Sequence, residues 1–163
     1  MVLISTKEFK APYEVKLVDT ALEMQAAVEA EYGNADCLIM AAAVADYRAK
    51  NIADSKLKKT LADEISIEFV KNPDILKEIS AKKKENQIVV GFCAESENLL
   101  EYAKEKIQKK GCDFLIANDI SRVDIGFSSD YNEVFVLDKN LNSTKIEKTS
   151  KTQIAKKIFE IVF

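Results

Sequence analysis

Histidine is absent from all 163 residues of the chain. Its absence excludes a Ser-His-Asp or Cys-His nucleophile, a histidine metal site and imidazole acid–base catalysis. Any chemistry must rest on Lys, Arg, Asp, Glu, Tyr, amides and backbone groups. Glycine (4) and proline (2) are scarce, so no flexible linker or low-complexity tract marks a second domain. There is no Gly-x-Gly-x-x-Gly turn and no Walker-type loop, which argues against a dinucleotide dehydrogenase or a P-loop enzyme. The three cysteines, Cys37, Cys93 and Cys112, lie far apart in apolar runs. They form neither a metal knuckle nor a disulfide framework and read as small buried hydrophobes. No apolar run is long enough to span a bilayer, and MVLISTKEFK lacks the apolar core of a signal peptide, so a cytoplasmic location is expected, with no membrane partner. A net charge of −3 gives no reason to expect nucleic acid.

What is present is ordinary for a globular protein: 47% hydrophobic and 31% charged residues. The length suits a single domain over residues 1–163 with one core. Short strands are expected at Val2 to Ile4 and Tyr13 to Val18, then a helix capped by Asp19 or Thr20 and running through Glu31. The run from Cys37 to Val44 is continuously apolar and too short for a buried helix, as in a central parallel strand. Ile65 to Val70 is a further strand. Asn72 is expected to cap a helix with Pro73 at its first position, ending near Lys84. Gln87 to Ala94 and Asp113 to Asn118 are buried strands. Between them a helix opens at Ser96 or Glu97 and closes at Gly111. Glu133 to Leu137 and Thr144 to Lys148 form a hairpin, and Lys151 to Val162 a final helix with Ile154, Ile158, Ile161 and Val162 on one side.

Strands alternating with helices, the strands apolar throughout, predict an α/β fold: a Rossmann-like three-layer α/β/α arrangement around a mostly parallel sheet, with a C-terminal β-hairpin extension. Ligands in such sheets bind at the carboxyl ends of the strands. Those ends are 42–46, 92–95 and 117–119, which predicts one crevice lined by three stretches of sequence.

Several residues near those ends can carry chemistry. In AAAVADYR, four alanines let a flat ligand approach the backbone, and Asp46 and Arg48 follow at the mouth. A small-residue strand packed on a helix, with Asp46 capping a turn, explains the same spacing. The basic cluster SKLKK (55–59) can hold phosphates or be a solvated loop. Lys106 and Lys110 are four apart and share a helix face, which suits a polyphosphate or simply a helix C-terminus. Asn72, Pro73, Asp74 and Ile75 open a helix whose N-terminus favours an anion or a polar base edge, although capping alone accounts for them.

In order, AAAVADYR, SKLKK, VKNPDIL, VVGFCAE, EYAKEKIQKKG, DFLIANDIS and GFSSDYNEV resemble the phosphopantothenate–cysteine ligase family, the C-terminal domain of the bacterial bifunctional coenzyme A biosynthesis flavoprotein. The resemblance covers nearly the whole chain, and the combination is far more specific than any fragment. It implies a ligase of coenzyme A biosynthesis that forms an amide between 4′-phosphopantothenate and cysteine. Activation comes from CTP with Mg²⁺, through an acyl-cytidylate. By matching motif, Met40, Ala41, Ala42, Asp46, Asn72, Pro73, Asp74, Ile75 and Phe92 would line the nucleotide site, and Lys106 and Lys110 would approach the triphosphate. Lys56 is similar to the family lysine that converts the acyl-cytidylate to product. The hairpin from Glu133 to Lys148 resembles the dimer-forming region, which implies a homodimer.

The departure from the family is at the front. The opening strand with its Gly-rich turn, the Ile-Asp-Pro-Val-Arg type segment and the Asn-x-Ser-Ser-Gly motif do not occur, nor does an upstream flavin-binding domain, so no flavin is expected. The domain is therefore expected to be N-terminally incomplete, with an exposed sheet edge and little or no ligase activity alone. Two rivals follow: a catalytically incomplete nucleotide-binding or dimerisation fragment of that enzyme, and an NAD(P)-linked Rossmann enzyme.

Overall fold

The longest apolar runs of the chain become the middle of its main sheet. The structure, a computed structural model, describes residues 1–53, 55, 65–122, 124–125 and 129–163. In chain order its elements are β1 (Val2–Ser5), β2 (Glu14–Leu17), α1 (Ala21–Tyr32), β3 (Cys37–Met40), β4 (Tyr47–Ala49) and β5 (Phe69–Lys71). There follow α2 (Ile75–Lys82), β6 (Ile88–Glu95), α3 (Leu99–Lys110), β7 (Phe114–Asp119), β8 (Tyr131–Asp138), β9 (Ser143–Ser150) and α4 (Lys151–Val162). They form two units, one of Met1–Ala30 with Ala43–Asp74, the other of Glu31–Ala42 with Ile75–Phe163.

In the first unit β1 and β2 pair in parallel, Val2 opposite Glu14 through Ser5 opposite Leu17. Helix α1 starts where its polar residues direct it. The Thr20 hydroxyl accepts from the Glu23 amide at 3.2 Å, and the Asp19 amide donates to the Glu23 carboxylate at 2.7 Å. Strands β4 and β5 form a separate antiparallel ribbon, Tyr47 opposite Lys71 and Ala49 opposite Phe69.

The second unit holds a five-stranded sheet in the order β3-β6-β7-β8-β9. Strands β3, β6 and β7 are mutually parallel, and β8 and β9 extend the sheet antiparallel. The predicted fold class is found, and the hairpin is the sheet's own far edge. Successive residues along β6 and β7 point to opposite faces. One set (Val90, Ile116, with Val134 and Val136 of β8 and Ile146 of β9) packs against Ile154, Ile158 and Val162 of α4. Each such buried aliphatic side chain contributes about 1.5–3 kcal/mol. The other face receives α2 and α3 through buried Ile75, Leu76, Ile79, Ala103 and Ile107. Gly91 lies on that face, where a Cβ would sit 2.5 Å from Leu76 Cδ2 and 3.1 Å from Leu115 Cδ1. Its lack of a side chain is what lets α2 approach β6.

Several expected boundaries shift. Strand β3 stops at Met40, and residues 41–44 of the apolar run lie outside any strand. Strand β5 begins at Phe69, not at Ile65, although the Lys50 amide still donates to the Glu68 carbonyl at 2.9 Å. Helix α2 starts at Ile75, not at Pro73, because Asn72 is engaged elsewhere. Its amide donates to the Ala45 carbonyl at 2.8 Å and its Oδ1 accepts from Arg48 at 3.3 Å. Helix α3 starts at Leu99, preceded by Asn98 in a left-handed conformation (φ 47°), and ends as expected at left-handed Gly111 (φ 68°). The hairpin strands are longer than predicted. Ile161 is 37% exposed, so the buried face of α4 is Ile154, Ile158 and Val162. Of the cysteines only Cys112 is buried; Cys37 and Cys93 are half-buried, and all three are free thiols.

Candidate functional site

Parallel pairing of β3, β6 and β7 sends their carboxyl ends out along one edge of the sheet. Met40 pairs with Gly91, Ala94 with Asn118 and Glu95 with Asp119. Met40 is half-buried at the tip of β3, and Ala41 and Ala42 beyond it are exposed. Along β6 the alternation of side chains divides the tip. Phe92 is half-buried against the core shared with α4. Glu95 lies on the α3 face, where its carboxylate pairs with the Lys106 ammonium. Phe92 and Lys106 therefore occupy opposite faces of the sheet, and what they share is its carboxyl edge. The Glu95 carbonyl accepts from the Ile120 amide at 3.0 Å, which ties the turn after β7 to the tip of β6. Lys110 stands one helical turn beyond Lys106, in the last turn of α3.

Asp119 ends β7 as a stable anion. The Ser121 hydroxyl and amide donate to its carboxylate at 2.6 and 2.8 Å and hold it below the usual aspartate range. Burial pushes the Cys93 thiol up to about 11, with the nearby Lys106 charge opposing that rise. A thiol so shifted is protonated at neutral pH and makes a poor nucleophile.

The first unit carries Asp46, Asn72, Pro73 and Asp74. Asp46 is exposed just before β4, and its carbonyl accepts from the Asn72 amide at 2.8 Å. The Arg48 guanidinium donates to the Lys71 carbonyl at 2.6 Å as well as to Asn72. Four polar contacts thus centre on Asn72 and Arg48 and fix the backbone on either side of the ribbon. Lys56 and the rest of the basic cluster beyond Ser55 lie outside the described residues.

Two groups were missed by sequence reasoning. Glu95 was quoted within VVGFCAE but not singled out, although its place at the last position of a buried parallel strand was a usable signal. The second is an ionic cluster on the segment that follows β7. Arg122 donates to both oxygens of Asp124 at 3.0 and 2.9 Å and to Glu133 at 2.9 Å, Lys148 reaches Asp124 at 2.7 Å, and Lys145 lies 3.3 Å from Glu133. No spacing rule brings together residues from a loop and two strands.

Among the described residues no three Cys, Asp or Glu side chains converge to hold a metal ion. Among them too, no helix is long and apolar enough to cross a membrane.

Comparison with known proteins gives these elements a lineage. Residues 1–163 match the family model described as the DNA/pantothenate metabolism flavoprotein C-terminal domain. The coenzyme A biosynthesis bifunctional protein CoaBC of Borreliella burgdorferi is 41% identical over 147 residues, 90% of this chain and 36% of that protein. The protein of the same name from Escherichia coli is 49% identical over 125 residues, 74% of this chain and 31% of that protein. The chain thus spans about a third of the curated relatives it matches. A crystal structure of the C-terminal domain of CoaBC superposes with a TM-score of 0.77 at 28% identity, covering 99% of this chain and 71% of that one. The chain belongs to the family of DNA/pantothenate metabolism flavoprotein C-terminal domains.

Proposed function

We propose that this chain is the phosphopantothenate–cysteine ligase part of a coenzyme A biosynthesis enzyme. It acts in the cytoplasm, as a homodimer. The observation that carries this reading is the match of residues 1–163 to one family, together with relatives named for coenzyme A biosynthesis.

The reaction has two steps. The carboxylate of 4′-phosphopantothenate attacks the α-phosphate of CTP and pyrophosphate leaves, giving an acyl-cytidylate. The amine of cysteine then attacks the acyl carbon, CMP departs, and the amine loses a proton to solvent. Activation by a good leaving group suits a chain without histidine, because positioning and charge stabilisation are what the protein must supply. On this reading Met40, Ala41, Ala42 and Phe92 receive the nucleoside portion at the carboxyl edge of the main sheet, and Asp46 and the stretch from Asn72 to Ile75 are nucleotide-binding residues by the matching motif. Lys106 and Lys110 engage the triphosphate, and Lys56 assists the second step by stabilising charge on the departing CMP. The described residues offer no cage for a resident Mg²⁺, so the ion enters as a partner of the triphosphate, whose oxygens supply ligands.

A thermal-shift series with CTP, ATP and NADP, each with Mg²⁺, tests the reading. CTP is expected to raise the Tm most, with the shift reduced in Asp46→Ala and retained in Lys56→Gln, which affects turnover. Stabilisation by NADP and not by CTP contradicts the proposal and favours the dinucleotide rival.

A further inference from the structure

We infer that Glu95 is a positioning residue: it holds the Lys106 ammonium ready at the carboxyl edge of the sheet. The inference deepens the nucleotide reading given above and rests on it.

Glu95 is the last residue of β6, so its backbone is fixed by pairing with Asp119 of β7 and by the Ile120 amide bonded to its carbonyl. Its side chain is only 16% exposed, whereas that of Lys106 is 43% exposed. The anchored and sheltered member of the pair is therefore the carboxylate, and the lysine, on a flexible four-carbon stem, is the member being held. An ammonium has three hydrogens to donate. Contact with Glu95 uses part of that capacity and leaves the exposed side of the group for an incoming phosphate.

A lysine held this way has part of its rotamer freedom restricted before a ligand arrives. Otherwise the cost of ordering it falls at the moment of binding, and for one rotamer-rich side chain that amounts to about a threefold to tenfold change in affinity. The opposing effect is repulsion between the Glu95 carboxylate and the phosphates. The pair is in contact, whereas a phosphate meeting the exposed side of Lys106 lies farther from the Glu95 carboxylate, which weakens that repulsion.

The experiment is a double-mutant cycle read by isothermal titration with CTP and, in parallel, CMP. Glu95→Ala is expected to weaken CTP binding by about threefold to tenfold and to leave CMP binding within about twofold. Glu95→Gln, which keeps an acceptor oxygen and the side chain's shape, should recover part of the loss and guards against a folding defect in the alanine variant. Lys106→Ala should weaken CTP more than Glu95→Ala does, and the double variant should bind no worse than Lys106→Ala. Unchanged or tighter CTP binding in Glu95→Ala, with Lys106→Ala still defective, overturns the inference and leaves the nucleotide reading standing. So does equal weakening of CTP and CMP. If Lys106→Ala has no effect, or the unaltered chain does not bind CTP, the nucleotide reading fails first.

Discussion

Replacing Gly91 with alanine tests how tightly α2 is seated on the sheet whose edge forms the candidate site. Gly91 is buried, pairs with Met40 and precedes Phe92. A Cβ there meets Leu76 Cδ2 at 2.5 Å, a separation real side chains do not tolerate, and Leu115 Cδ1 at 3.1 Å. Leu76 is 8% exposed and Leu115 1%, so neither side chain has open space to swing into. Overpacking of this kind costs about 1–3 kcal/mol. Against it stands the reduced freedom of the unfolded chain on changing glycine to alanine, about 0.4–1 kcal/mol. The net expectation is a loss of about 1–2 kcal/mol, or roughly 3–7 °C in Tm for a chain of this size. Urea unfolding followed by circular dichroism should show a lower midpoint with an unchanged slope. Combining the substitution with Leu76→Val, which removes the clashing methyl, should be less damaging than the sum of the two single changes. A Gly91→Ala chain as stable as the parent refutes the argument that α2 needs this gap.

Other regions offer further checks. Ser150 caps α4 by accepting from the Gln153 amide at 3.3 Å, so Ser150→Ala should lower stability by about 1 kcal/mol in the same unfolding assay. Burial raises the Cys37, Cys93 and Cys112 thiols to about 11. Iodoacetamide at about pH 8 should therefore label the folded chain about 100-fold more slowly than the unfolded one, as mass spectrometry over time would show. Asp119, Asp124 and Asp138 are held below their ordinary range chiefly by hydrogen bonds, from Ser121, Arg122 and Asn142 respectively. Because their folded values lie below the unfolded ones, the stability they contribute is present above the ordinary aspartate range and is lost as pH falls through the folded values. Thermal unfolding should show a Tm that falls on acidification from about pH 5 downwards, with a shallower fall in Asp124→Asn.

The parts of the fold legible in the sequence are those whose pattern is local. Ile88 to Ala94 and Phe114 to Ala117 are apolar because both faces of their strands are covered, and that leaves a continuous run in the sequence. Helix α4 repeats its apolar residues at helical spacing because one side packs on β8 and β9. Strand β4 escaped notice because nothing within Tyr47–Ala49 demands a strand; its pairing with β5 and the Arg48 bond to the Lys71 carbonyl come from twenty or more residues away. Asn72 before a proline reads as a helix cap, yet its amide and carbonyl groups are used by Ala45 and Arg48, so the helix begins later. Ile161 fits the helical spacing but lies at the margin of the buried stripe. For the candidate site, the strand tips were legible from the same apolar runs. The Glu95–Lys106 pair was not, because it joins a strand to a helix through a contact that no periodicity encodes.

Hydrogen–deuterium exchange with and without CTP and Mg²⁺, read peptide by peptide, tests the central claim most directly. The unit containing β6 has a concavity at the amino ends of β6 and β7, a groove of about 500 Å³ lined by Ile88, Phe114, Asn140 and Thr144 among others. CTP is expected to slow exchange at the carboxyl tips of the main sheet, in peptides covering 40–42 and 92–95, and, within the first unit, in peptides covering Asp46 and 72–74, and to leave the groove-lining peptides unchanged. Protection confined to the groove, or no protection anywhere, would contradict the account.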